Sequence, residues 1–287
     1  MAEVALAARA RLGEGPAWDG EAAVLWWVDI LNHRVHRFRP DTGEDEFWEV
    51  GETVGCAVPA AGGRVLLGLR RGLGLLDPGT GEVERLATLL DGAPGERIND
   101  GKCDPRGRLW VGSMSQEEGG AVLFRYDPEG GARVVERGLT ISNGLGWSPD
   151  GGTFYLTDSP RKTIYAYDFD LEAGEISGRR VFADLSAGKA FPDGLTVDAE
   201  GCVWSAQWEG GSVVRFSPDG REVERRAVPV PLSTSCAFGG PDLGDLYVTS
   251  ASVGLGQEQI EESHPSGDLF RLRPGAKGLP VTPFRVP

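Results

Sequence analysis

One spacing recurs along this chain and constrains what it can fold into. In SNGLGWSPDGGTFYLTDS, residues 142–159, a polar pair leads into a short apolar run, a Ser-Pro-Asp-Gly turn and a second apolar run ending at Thr157. Two short strands joined by a glycine turn are the simplest conformation for that order. Counted from Asn143, the turn glycine Gly151 stands eight residues on, and Asn99 bears the same relation to Gly107 and Asp193 to Gly201. Glu14 opens a fourth instance, with its glycine, Gly20, two residues closer. Oxygen-bearing side chains therefore return at one slot of a repeated unit.

Anchored on that slot, units begin near Glu14, Gly55, Asn99, Asn143, Asp193 and Ser235, in steps of 41, 44, 44, 50 and 42 residues, and the last runs into the tail. Each reads as four short strands: Leu25 to Asp29 then Val35 to Phe38 in the first, Phe154 to Thr157 then Ile164 to Tyr167 in the fourth, Val203 to Ala206 then Val213 to Phe216 in the fifth. Four strands in roughly 40 to 45 residues is one propeller blade. The expected fold is all-β, a six-bladed β-propeller forming a single domain over 1–287. Residues 3–10 are expected to pair beside the last unit and close the ring, which removes an exposed edge.

The 43 glycines and 19 prolines suit a chain built of turns. A formal charge of −14 argues against a nucleic-acid partner and against an anionic membrane surface. No run is long enough to span a bilayer, and the apolar amino-terminal stretch, broken by Arg9 and Arg11, is too short for a secretory signal. Cys56, Cys103, Cys202 and Cys236 fall in four different units without CxxC spacing, as small reduced core residues do. A cytoplasmic location follows. His33 and His36 read as exposed loop residues around a turn and His264 is isolated, so a histidine zinc site is not expected. RRGLGLLD lacks the glycine spacing of a dinucleotide fingerprint and reads as a turn between strands.

The innermost strand of each blade runs along the central channel, so equivalent residues on those strands converge. Glu14, Asn143 and Asp193 meet there, with Asn99 close by, while Gly55 adds no ligand. Asn and Asp also cap turns at strand starts on their own account. Their recurrence in one register, each ahead of an apolar strand, points further, to a metal site in the channel. Carboxylate and amide oxygens suit calcium, magnesium or manganese. Arg97 lies two residues before Asn99, so an extended backbone turns both side chains to one side, and Met114 to Glu118 falls on the same rim.

ERINDGKCDPRGRLWVGSM, SNGLGWSPDG with YLTDS, FPDGLTVDAEGCVWSAQW and SCAFGGPDLGDLYVTSA resemble, in order and over nearly the whole chain, the successive signatures of the senescence marker protein, gluconolactonase and regucalcin family. The resemblance implies a six-bladed propeller with one catalytic divalent metal, calcium foremost, with zinc, manganese, magnesium or iron as alternatives. It implies hydrolysis of a small-molecule sugar lactone. The family's metal ligands carry over to Glu14, Asn143 and Asp193. Its substrate contacts carry over to Arg97 and Asn99, with Asp100 near the metal's water shell and Glu117, in SQEEGGA, on the substrate side.

The chemistry agrees with that set. A lactone is an ester, and attack by water builds an oxyanion that a metal can hold while lowering the pKa of water. Asp193 has the reach to act as general base. The chain has no GxSxG elbow and no Ser/His/Asp set for an acyl-enzyme. Alternatives are a calcium-binding regulator of the regucalcin type, a propeller esterase or phosphotriesterase, and a plain scaffold. Arg97 and Asn99 argue for a substrate pocket.

Overall fold

The computed structural model of the chain describes residues 1–256 and 265–286. His264 lies outside the described residues. Strand β1 is Glu3–Leu6. The first blade is β2 (Gly13–Asp19), β3 (Val24–Asp29), β4 (Arg34–Arg39) and β5 (Glu44–Glu49). The second is β6 (Val54–Ala60), β7 (Arg64–Leu69), β8 (Gly72–Leu76) and β9 (Val83–Thr88). The third is β10 (Arg97–Cys103), β11 (Leu109–Met114), β12 (Ala121–Asp127) and β13 (Gly131–Leu139). The fourth is β14 (Ser142–Trp147), β15 (Thr153–Asp158), β16 (Thr163–Asp170) and β17 (Glu175–Asp184). The fifth is β18 (Phe191–Val197), β19 (Val203–Trp208), β20 (Ser212–Phe216) and β21 (Glu222–Ala227). The sixth takes β22 (Ser233–Gly239), β23 (Asp245–Ser250) and β24 (Leu269–Leu272), and β1 completes it.

The molecule is thus an all-β, six-bladed propeller whose ring closes by pairing β1 with β24, Glu3 opposite Arg271. Every sheet is antiparallel among the described strands, so tight turns suffice as connections. Gly107, Gly151 and Gly201 all have positive φ, the left-handed conformation that favours glycine. Gly20 is not their counterpart: in the first blade Ala23, at φ 53°, carries the left-handed turn instead.

Burial is organised between blades. Six clusters of buried apolar side chains among the described residues each fill the gap between two neighbours, as where Val28 and Trp26 of the first blade meet Leu67 and Leu69 of the second. A strand such as β7, RVLLGL, is therefore apolar on both faces rather than alternating. Each Leu, Val or Phe buried this way contributes roughly 1.5–3 kcal/mol. Two of the indoles are satisfied by the repeat itself: Trp110 and Trp204 donate to Asp104 and Asp198, each five residues past its slot. The inner strands also carry the buried polar residues Glu14, Asn99, Asp100, Asn143 and Asp193.

The four cysteines are free and buried. His36 is not a loop residue: it lies buried on β4, 2.7 Å from Asp45 and stacked on Trp27, where a strand position exposed by its sequence neighbours is covered by the sheet. His33 occupies the turn before it at φ 58°. The tail also departs from expectation, since residues 277–285 add no strand but cross the channel's far end. Lys277 accepts from Ala199 in the fifth blade, Phe284 pairs with Pro59 and Ala61 of the second, and Arg285 donates to Gly107 of the third. Leu279 to Thr282 thereby cover a cavity of about 260 Å³ beyond the slots.

Candidate active site at the start of the inner strands

All six inner strands share one irregularity. Register slips by a residue between Glu14 and Ala17, Val54 and Cys56, Ile98 and Gly101, Ser142 and Leu145, Pro192 and Leu195, and Ser233 and Ser235. A bulge of this kind re-aims a side chain out of the regular alternation. It encloses the slot residue in the second to fifth blades and lies beside it in the first and sixth, where Glu14 and Ser235 keep the ladder partners Val28 and Thr249. The blades close up there. A Cβ on Gly55 would lie 2.1 Å from the Asn99 carbonyl oxygen, and one on Gly194 would lie 2.0 Å from Ser235 Oγ.

Side chains link the slots. Asn99 Nδ2 donates to the Ser142 carbonyl at 3.1 Å, and Asn143 Nδ2 donates to Asp193 Oδ1 and, at 3.2 Å, to Ser159 Oγ. Arg97 Nη1 donates to Asn99 Oδ1 at 2.8 Å and to the Ile98 carbonyl at 2.9 Å. Glu14 Oε2 accepts the Gly15 N–H at 3.0 Å, and Asp100 Oδ1 accepts that of Gly101 at 2.7 Å. Glu14, Asn99, Asp100, Asn143 and Asp193 are each only 6–7% exposed.

Buried carboxylates within electrostatic reach of one another are costly in a low dielectric. Burial first, then the charge of Asp100, pushes Glu14 up to about 8, against the pull of the Gly15 N–H and Arg97. Burial, then Glu14 and Asp100, holds Asp193 well above the usual carboxylate range. Asp100 is raised by burial, with Lys102 opposing. The two cations move the other way: burial lowers Arg97 to about 10 against Glu14 and Asp193, and burial lowers Lys102 against Asp100.

Among the described residues no three His, Cys, Asp or Glu side chains form a metal-holding group. A mixed set fits a divalent cation better: the Glu14 and Asp193 carboxylates with the amide oxygen of Asn143, which is buried and has no hydrogen-bond partner. Hard oxygen donors and an excess of buried negative charge are what calcium or magnesium prefer. Asp100, Arg97 and Asn99 border the same group. Glu117 does not join it: it is exposed on the loop after β11, its N–H on Ser115 Oγ, while Gln116 packs toward Gly95 ahead of β10. The sequence reading passed over Lys102, whose Nζ crosses the channel to the Leu195 carbonyl at 3.0 Å. Its signal was the period of two from Asp100.

The chain is similar to known proteins over nearly its whole length. Residues 12–252 match the profile of the SMP-30/Gluconolactonase/LRE-like region. The chain is 39% identical over 277 residues to the pentonolactonase XacC of Haloferax volcanii, covering 94% of this chain and 93% of that one. It is 38% identical over 270 residues to a 6-deoxy-6-sulfogluconolactonase of Pseudomonas putida, covering 93% and 92%. A solved structure described as a calcium-binding protein, regucalcin, from Agrobacterium tumefaciens superposes with a TM-score of 0.95 at 31% identity, covering 100% of this chain and 98% of that one.

Proposed function

The chain belongs to the SMP-30/gluconolactonase/LRE-like family, and from that premise we propose that it hydrolyses sugar-acid lactones with one divalent cation, calcium foremost, held by Glu14, Asn143 and Asp193. The observation that supports the reading is a set of linked buried groups: Asn143 bonds Asp193, Arg97 bonds Asn99, and the charges of Glu14, Asp193 and Arg97 act on one another. When bound, the cation supplies Lewis acidity toward the lactone carbonyl and makes nearby water more acidic. Asp193 takes the proton of the attacking water as its oxygen bonds to the carbonyl carbon. Collapse of the tetrahedral adduct breaks the ring C–O bond, and the proton passes to the departing ring oxygen. The product is the open hydroxy acid.

Arg97 has five N–H donors and commits Nη1 to Ile98 and Asn99, so its fork is braced to meet sugar hydroxyls or the carbonyl oxygen. Asp100, within reach of both Glu14 and Lys102 electrostatically, sets the charge around the reacting water. Glu117 belongs to the rim, where a polyhydroxylated substrate extends. The whole is one domain over 1–287, and its free thiols suit the cytoplasm. A panel of aldonolactones in a pH-indicator assay, with and without chelator, tests the reading. Acid release that a chelator abolishes and calcium restores is expected; calcium uptake without hydrolysis of any lactone would favour the calcium-binding regulator instead.

A further inference from the structure

The lead-ins to the first and fourth inner strands are clamped by the same device. Asp29, at the end of β3, accepts the backbone N–H groups of Arg11 and Leu12 at 3.0 and 3.1 Å. Asp158, at the end of β15, accepts those of Thr140 and Ile141 at 3.2–3.3 Å. The two sites correspond residue by residue. Gly13 pairs with Asp29 and Ser142 with Asp158, the partners immediately before Glu14 and Asn143. The next residue along returns a bond in both cases, Ile30 N–H to Leu12 and Ser159 N–H to Ile141. Both carboxylates are buried, and each is anchored from its turn, by Asn32 Nδ2 at 2.7 Å and by Arg161 Nε at 3.3 Å.

The corresponding positions across from the slot strands in the second, third and fifth blades hold Leu69, Ser113 and Gln207. The acidic clamp thus accompanies Glu14 and Asn143. Asp193 has Pro192 before it, whose ring fixes φ without any clamp. The reason lies in the bulge. A slot residue one step inside an irregular strand has little ladder on its outer side, and its side chain follows any shift of the two or three residues before it. A carboxylate accepting two consecutive N–H groups removes that freedom.

We propose that Asp29 and Asp158 are positioning residues that hold Glu14 and Asn143 in the geometry a divalent cation needs. This rests on the cation site proposed above. The test is calorimetric titration of the full chain with calcium chloride, and manganese chloride in parallel, on the wild type, Asp29→Asn, Asp158→Asn and Asp198→Asn. Asp198 is equally buried and equally bonded, to Glu200, Cys202, Trp204 and Arg215, but at the turn end of its blade. All three variants lower the unfolding temperature. Asp29→Asn and Asp158→Asn also weaken cation affinity about tenfold or more, while Asp198→Asn leaves it within about twofold.

Affinity unchanged in both clamp variants, with only stability lost, overturns the proposal. So does an equal loss of affinity in Asp198→Asn. No uptake of either cation by the wild type overturns the cation site itself, a different failure. Should both clamp variants not fold, Asn32→Ala loosens Asp29 from the solvent side without burying a new charge, and wild-type affinity in that variant decides against the clamp.

Discussion

The side-chain amide of Asn143 donates to the carboxylate of Asp193, fifty residues further along the chain and one blade away. The amide's own oxygen is left buried without a partner, while burial and the charges of Glu14 and Asp100 hold the Asp193 carboxyl above its usual range. Two joined side chains thus each present an oxygen whose electrostatic surroundings favour a cation. Neither feature comes from local conformation; both come from bringing two inner strands together.

On the proposed site, removing any one of the three oxygens would remove a ligand. Glu14→Gln, Asn143→Ala and Asp193→Ala are each expected to weaken calcium binding by more than the roughly 10–100-fold that loss of an outer partner costs, and to abolish most lactone hydrolysis. Titration calorimetry and the indicator assay measure the two effects separately. Wild-type affinity in all three variants would place the cation elsewhere.

The pH dependence has opposite signs for binding and for stability. With Glu14 raised to about 8 in the metal-free protein, its carboxyl is mostly protonated at about pH 7, and a cation must displace that proton. Calcium affinity therefore rises with pH through about 8, and the raised Asp193 carboxyl adds in the same direction. For the metal-free fold, a carboxyl raised from 4.5 is without penalty below that value and destabilises the protein increasingly as pH rises through about 8. The melting temperature in chelator should fall across that window, and saturating calcium should flatten the fall. A chelated profile that rises instead would contradict the buried-carboxylate cluster.

Arg97 separates pocket from ligand. Its guanidinium is braced on Asn99, and its positive charge bears on Glu14 and Asp193. Arg97→Ala should cost about 1–3 kcal/mol in kcat/KM, as loss of a charged hydrogen bond does, while calcium affinity holds or tightens because a competing cation is gone. Arg97→Lys should not restore the rate, since a point charge does not replace the fork. Unaltered kinetics on every active lactone would put Arg97 outside the pocket.

The repeat was legible because blade structure is local: a turn glycine eight residues past Asn143 needs only its own two strands to mean something. Convergence of Glu14, Asn143 and Asp193 followed from that repeat, since equal positions on radiating strands share an axis. What the repeat hid was register. The one-residue slip at or beside each slot leaves no mark in composition, and the clamps Asp29 and Asp158 matter only once their partners across the strand pair are known. Lys102 was hidden in the same way, its acceptor lying 93 residues away on another blade. The tail segment 277–285 reads as irregular because its backbone bonds go to four different blades rather than to itself.

Close approach of the blades makes the sharpest steric test. Gly144 follows the slot residue Asn143, and a Cβ there would lie 2.4 Å from Leu195 N, 2.5 Å from Asp193 O and 2.7 Å from Gly194 C, all backbone atoms. No rotamer relieves such contacts, so Gly144→Ala must drive β14 and β18 apart where Asn143 and Asp193 meet. Overpacking of this kind costs about 1–3 kcal/mol, and calcium affinity should fall with it because the two proposed ligands separate. Gly43 is the contrasting position: at φ 75° with nothing within 4 Å, Gly43→Ala strains only its own backbone, by about 1–2 kcal/mol, far from the channel. Denaturant unfolding should show comparable losses for the two variants, and calcium titration should tell them apart. Equal calcium affinity in both would mean that the spacing of those two strands does not govern the site.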